Sequence, residues 1–205
     1  MKVIYILIGI ILIGGLVFYL TRFGNKPASD DKQTTTGQNY AEAKVQQTKE
    51  NAFQDLRNMA FSATPKQLGL SLPTDKTIVY GVIMDWEMSN ATATTVAYQT
   101  GDASLYLSSG GGVIGGGQQQ NVNNAAKQFV ALAQTFLDKA TKTETTPLPE
   151  KDVVKFYFLT NNGIYVGQET INNFENDSSA WLKFFEKGNN LLAELRKTSE
   201  NDGSL

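Results

Sequence analysis

Two residue types are missing outright: the 205-residue chain has neither cysteine nor histidine. Their absence excludes disulfides, thiolate and imidazole catalysis, and the usual ligation of zinc, haem and iron–sulfur clusters. No cofactor is expected. An excess of either charge is missing too. Lys and Arg number 18 against 20 Asp and Glu, a net charge of -2, and the basic residues are scattered among acids and amides. Nucleic acid, which needs a basic face, is therefore not an expected partner. Length is not lacking: a body of about 150 residues buries around two thirds of its unfolded surface and needs no covalent staple.

Long apolar runs are absent except for one, Val3–Leu20, VIYILIGIILIGGLVFYL, eighteen residues without a charge. At about 1.5 Å per helical residue it covers most of a ~30 Å hydrocarbon core. Tyr19-Leu20-Thr21-Arg22-Phe23 follows instead of the small-x-small site of a cleaved signal peptide. The expectation is an N-terminal transmembrane helix (residues 1–23) in a single-pass membrane protein, with the bilayer as its first partner. Lys2 flanks one end and Arg22, Lys26 and Lys32 the other, which slightly favours a cytoplasm-facing domain. Residues 24–39, GNKPASDDKQTTTGQN, are polar and read as a flexible linker. Residues 40–197 are assigned to an α+β domain and 198–205 to a disordered tail.

The body is organised around Gly101–Asn121, GDASLYLSSGGGVIGGGQQQN. A β-type run breaks into two glycine triplets and then feeds a helix. Gly110, Gly112 and Gly115 satisfy G-x-G-x-x-G, a spacing that lets backbone N–H groups approach an anion at a helix N-terminus. Gly110, Gly112, Gly115, Gly117 and Asn121 are the candidate ligand-binding residues. A dinucleotide site would also need an acid at the end of the next strand, where Thr160, Asn161 and Asn162 stand, and a P-loop would need Lys after its last glycine, where Gln118 stands. The nearest cation is Lys127, nearly two helical turns further on. The competing reading is structural: glycines that permit positive φ and close backbone approach, with Val113 and Ile114 as a buried apolar button.

In order, Tyr40–Ala60 carries helical periodicity through Val45, Ala52, Phe53, Leu56, Met59 and Ala60. Thr64-Pro65-Lys66-Gln67 has capping-box spacing ahead of Gly69. Thr77–Met88, Thr92–Gln99 and Ala103–Ser108 form a three-stranded meander. In the second strand Ala93, Thr95 and Ala97 alternate with Thr94, Val96 and Tyr98, so one lightly polar side is expected to be solvated. A helix follows from Val122 to Ala140, then a loop from Thr141 to Lys151. Asn162-Gly163 joins a hairpin of Asp152–Thr160 and Ile164–Gln168. The last helix carries Trp181, Phe184, Phe185, Leu191, Leu192 and Leu195 as its apolar stripe. The expected fold is α+β: a five-stranded antiparallel sheet, a meander of three plus a hairpin, packed by helices. Its element order is similar to that of small profilin-like or roadblock-like platforms. GVIMDW (residues 81–86), GDASLYLSSGGGVIGGG (101–117) and NNGIYVGQE (161–169) resemble a group of uncharacterised bacterial proteins. That resemblance implies a bacterial source and carries no activity or site residues.

Reactive chemistry rests on carboxylates. Asp85 closes the first strand and Asp102 opens the third, and if the two converge at one end of the sheet they form a candidate metal or acid–base pair. The structural alternative is strand-end acids bonded to turn N–H groups. Trp86 and Trp181 read as core or rim aromatics, and Lys155 as an edge lysine whose stem lies on apolar surface. Three functions follow: a membrane-anchored, non-catalytic binding or scaffold domain with a protein partner; a small-ligand or anion sensor using the Gly110–Gly117 loop; and a carboxylate-based, metal-dependent enzyme. The first is favoured by the scarcity of reactive side chains.

Overall fold

The computed structural model describes residues 36–89 and 91–201. The chain divides into two units, 1–42 and 43–205, and the second holds the sheet. Helix α1 (Thr36–Ser62) leads into strands β1 (Val79–Met88), β2 (Ala91–Tyr98), β3 (Ala103–Leu107) and β4 (Gly112–Val113). A 3-10 turn at Gly116–Gln118 opens helix α2 (Gln120–Ala133), which tightens into 3-10 geometry over Gln134–Lys139. Strands β5 (Thr141–Thr143), β6 (Val153–Thr160) and β7 (Gly163–Thr170) follow, then α3 (Ile171–Glu175) and α4 (Leu182–Asn201).

The sheet has seven strands in the order β4-β3-β2-β1-β6-β7-β5, and every neighbouring pair is antiparallel. The expected five are its centre; the two extra strands, of two and three residues, sit at the edges. They escape periodicity because so few residues carry no alternation. β4 is made of glycine-loop residues, and β5 lies in the segment from Thr141 to Lys151 expected to be loop. Such short edges offer little template for pairing with another chain.

The expected N-terminal transmembrane helix finds no support either. Among the described residues no helix is long and apolar enough to cross a membrane, and Val3–Leu20 lies outside them. Helix α1 begins at Thr36, inside the stretch assigned to the linker, and α4 runs to Asn201, past the expected start of the tail.

Both faces of the sheet are covered. Alternation along β1 sends Ile83 and Asp85 one way and Val82, Met84 and Trp86 the other. On the first face Phe53 and Ala60 of α1 join Ile83, Val96, Tyr106 and Tyr157 in one core cluster. On the other lie α2 and α4, joined by Phe129 stacked on Phe184 at 4.6 Å. Phe184 also meets Phe156 and Phe158 edge-on at 5.0 and 5.3 Å. Rings at these separations add about 0.5 to 1.5 kcal/mol per pair beyond area burial.

No side of β2 is solvated, contrary to the expectation from its threonines: Ala93, Thr94, Thr95, Val96 and Ala97 are all buried. Alanines on the α2–α4 side let helices come close, and Gly188 of α4 does the same. A Cβ there would sit 2.5 Å from Met84 Sδ and 3.1 Å from Phe129 Cζ.

Candidate functional site

Helix α1 carries Phe53, Arg57 and Ala60 on one stripe, at i, i+4 and i+7. All three are buried. An arginine in that company needs a partner, and β1 supplies one from an otherwise apolar run. Arg57 Nε and Nη2 donate to Asp85 Oδ2 at 3.0 and 2.6 Å, with Asp85 fully buried and Arg57 3% exposed. Thr94, directly across from Asp85 on β2, donates its hydroxyl to Oδ1 at 2.5 Å. Both carboxylate oxygens are therefore occupied. The guanidinium lies 4.7 Å from the centroid of the Phe61 ring and 5.7 Å from that of Tyr157, an arrangement that suits a flat, weakly hydrated cation.

Two further polar pins hold α1 down. Tyr98 and Tyr80 hydroxyls donate to the carbonyls of Ala60 and Ala63 at 2.8 and 2.9 Å, satisfying acceptors that a helix end leaves unpaired. Burial raises the pKa of both phenols. Tyr157 is pushed up to about 12, first by burial and then by the Asp85 carboxylate, with Arg57 acting in the opposite direction. Its hydroxyl donates to Pro147 O at 2.5 Å, and Lys155 Nζ donates to the carbonyls of Pro147 and Leu148 at 3.3 and 3.2 Å. The segment before β6 is thus strapped over the same face as α1.

Asp85 and Asp102 do not converge. In a meander the first and third strands run the same way, so the start of β3 lies level with the start of β1. Ala103 pairs with Ala97 and Ala97 with Val82, whereas Asp85 pairs with Thr94 and Thr94 with Tyr106. Asp102 is exposed in the β2–β3 turn, where its carboxylate accepts from the Thr100 hydroxyl at 2.7 Å. Among the described residues no group of three acidic side chains is placed to hold a metal ion. Lys155 is not at an edge, since β6 lies between β1 and β7. Trp86 and Trp181 do serve the core and its rim: Trp86 meets Phe185 edge-on at 5.3 Å, and Trp181 stacks on Phe156 at 5.4 Å.

The glycine loop is built by backbone packing. Gly110, Gly111, Gly112 and Gly115 have φ of 100, 84, 145 and 69°. Gly112 pairs with Tyr106 across β3–β4, and a Cβ there would strike the Leu105 carbonyl oxygen. Gly117 is pressed on the backbone of Gly101, 2.5 Å from a Cβ to its oxygen, and Asn123 clasps the two by donating to Gly117 O at 3.1 Å. Gly115 N–H donates to Ser104 Oγ at 3.2 Å and Gly110 N–H to Leu107 O at 2.9 Å. Asn121 stands exposed in the first turn of α2. Val113 is only half-buried and Ile114 is 70% exposed, so they form no buried button. The β3–β4 pairing turns Ile114 outward just where the ladder ends. A lysine other than Lys127 reaches the loop, from α1: the Lys49 stem lies 3.0 Å from a Cβ placed on Gly110.

An open groove of about 390 Å³ runs between residues 72–77 and the β6–β7 turn. Asn161 spans it, accepting from Ile78 N–H at 2.9 Å and donating to the carbonyls of Pro73 and Lys76 at 2.7 and 3.0 Å. Its polar atoms are engaged in closing the loop.

Sequence reasoning passed over Arg57. The signal was present: a basic residue on the apolar stripe of α1, and an acid in a continuous apolar strand, each of which requires the other. No family model, curated protein or solved structure matches this chain.

Proposed function

We propose that this chain is a non-catalytic binding or scaffold domain, held at a lipid bilayer through Val3–Leu20, whose partner is another protein. The observation that supports it is the engagement of Asp85. The one fully buried acid among the described residues spends both carboxylate oxygens on Arg57 and Thr94, within the fold. The loop that could cradle an anion is likewise drawn into packing at Gly112 and Gly117. A surface built on such a frame works by shape and contact, as binding platforms do.

The test has two arms. Detergent-free fractionation of the intact chain is expected to leave it in the membrane pellet, and affinity capture from solubilised membranes to recover a defined protein in fixed proportion. Recovery of the intact chain in the high-speed supernatant would overturn the bilayer assignment. Absence of any stoichiometric partner, together with a rise in melting temperature on adding inorganic phosphate or nucleotide, would replace the scaffold reading with the anion-sensor one.

A further inference from the structure

Asp85 has two cations within reach, and only one of them is on it. Arg57 arrives from α1. The other, Lys155, is the residue directly opposite Asp85 in the β1–β6 ladder. Opposed residues of an antiparallel pair share a face with Cβ atoms about 4.5 to 5.5 Å apart, well inside the length of a lysine side chain. Yet the Lys155 ammonium is turned to two neutral acceptors, the carbonyls of Pro147 and Leu148. We propose that α1 is a releasable cover on this face of the sheet, and that Lys155 is the reserve counter-ion that takes Asp85 when Arg57 withdraws.

Undocking a helix that holds half of a buried ion pair normally strands the other half, which lowers the equilibrium constant by roughly two to three orders of magnitude. A lysine directly across the ladder removes most of that penalty. The remaining pins suit release as well. The Tyr80 and Tyr98 hydroxyls are only part-buried in their bonds to Ala63 and Ala60, so water can replace those carbonyls. The opposite layer has no such provision: α2 and α4 are joined to the sheet through stacked and edge-on rings of Phe129, Phe156, Phe158 and Phe184, whose exposure nothing offsets.

Lys155 cannot hold Asp85 and the strap together. When it moves to the carboxylate it leaves Pro147 and Leu148, so release of α1 also loosens the segment before β6. The two covers on this face are coupled through one ammonium group. Opening both uncovers Ile83, Val96, Tyr157 and Leu159, the apolar ground beneath them.

A double-mutant cycle tests this on the full-length chain in detergent. Urea unfolding is compared for wild type, Arg57→Met, Lys155→Met and the double variant. Arg57→Met alone is expected to lower the folding constant only about tenfold to thirtyfold, because Lys155 steps in, and Lys155→Met alone a few-fold. The double variant should fall at least tenfold below the product of the two, although Arg57 and Lys155 are bonded to different partners in the closed structure. A double effect equal to the product would overturn the proposal.

Should the double variant fail to fold, hydrogen exchange on wild type and Lys155→Met decides. In wild type the α1 amides should open well before those of α2 and α4. In Lys155→Met they should open about tenfold more slowly, while the amides of Thr145, Thr146 and Leu148 exchange faster. Amides of α1 that exchange only with global unfolding, or that are indifferent to Lys155, would also overturn it.

Discussion

Replacing the loop glycines one at a time by alanine separates packing from ligand binding, because the structure gives each position a different penalty. Gly112 has φ of 145°, a conformation essentially reserved for glycine, and its added methyl would meet the Leu105 carbonyl oxygen, with Leu105 C at 3.1 Å and Tyr106 Cα at 3.2 Å. These are backbone atoms and cannot rotate away. Strain of about 1 to 3 kcal/mol adds to about 1 to 3 kcal/mol of overpacking, so Gly112→Ala should cost about 4 kcal/mol. In a domain of this size 1 kcal/mol moves the melting temperature by about 2 to 4 °C, which gives a fall of about 8 to 16 °C. Gly111 is next in the chain, at φ of 84°, with nothing within 4 Å of its Cβ position. Only the left-handed penalty of about 1 to 2 kcal/mol applies there, so Gly111→Ala should lose about 2 to 8 °C. Gly115, also left-handed and unobstructed, should follow Gly111. Differential scanning calorimetry of the four proteins measures the series. Equal losses at Gly111 and Gly112, or a neutral Gly112→Ala, would refute the packing account of this loop.

Three other outcomes are expected. Thr95 is buried on the α2–α4 side and its hydroxyl finds no partner, so the isosteric Thr95→Val should stabilise by about 1 kcal/mol in urea unfolding; a loss of stability would show that the hydroxyl is satisfied. Burial alone would raise the pKa of Glu169, but bonds from Thr170 N–H, Asn173 and Ser179 outweigh it and hold the carboxyl below its usual range. Its stabilising share is therefore complete above about pH 4.3 and lost as pH falls through the depressed value, so the gap between wild type and Glu169→Gln in urea should close on acidification. Tyr157 shows the opposite sign: its raised value leaves stability intact below about pH 10 and erodes it as pH climbs towards about 12. Tyr157→Phe, measured by urea unfolding between pH 8 and 11.5, should show a shallower alkaline decline than wild type.

Much of the centre of the fold was legible because its signals are local. A nearly continuous apolar run rich in β-branched and aromatic residues marks β1, alternation marks β2, and Asn162-Gly163 marks the β6–β7 hairpin. There the turn residues proper are Asn161 and Asn162, while Gly163, at φ of 104°, opens β7. The Thr64–Gln67 capping box forms as its spacing implies, with Thr64 N–H donating to Gln67 Oε1 at 2.8 Å and Gln67 N–H to Thr64 Oγ1 at 3.3 Å. What stayed hidden depends on contacts distant in sequence. Ala52 and Met59 lie in the apolar pattern of α1 yet face solvent, Met59 at 67% exposure, because the buried stripe runs through Arg57 instead. Asp85 read as a strand-end acid because its partner lies 28 residues away.

By itself the sequence determined the α+β class, the meander and the hairpin, and the chemistry excluded by an absence of cysteine and histidine. Period, turn type and composition are properties of a few neighbouring residues. Only the tertiary structure decided that the sheet carries two short edge strands, that both its faces are covered, and that the glycine loop closes on Leu105 and Gly101. The structure alone also set the pairing of Asp85 with Arg57, with Lys155 waiting across the ladder. Each of these follows from which strands become neighbours and which helix face meets them, and long-range burial sets that choice, whatever the local preferences of the residues involved.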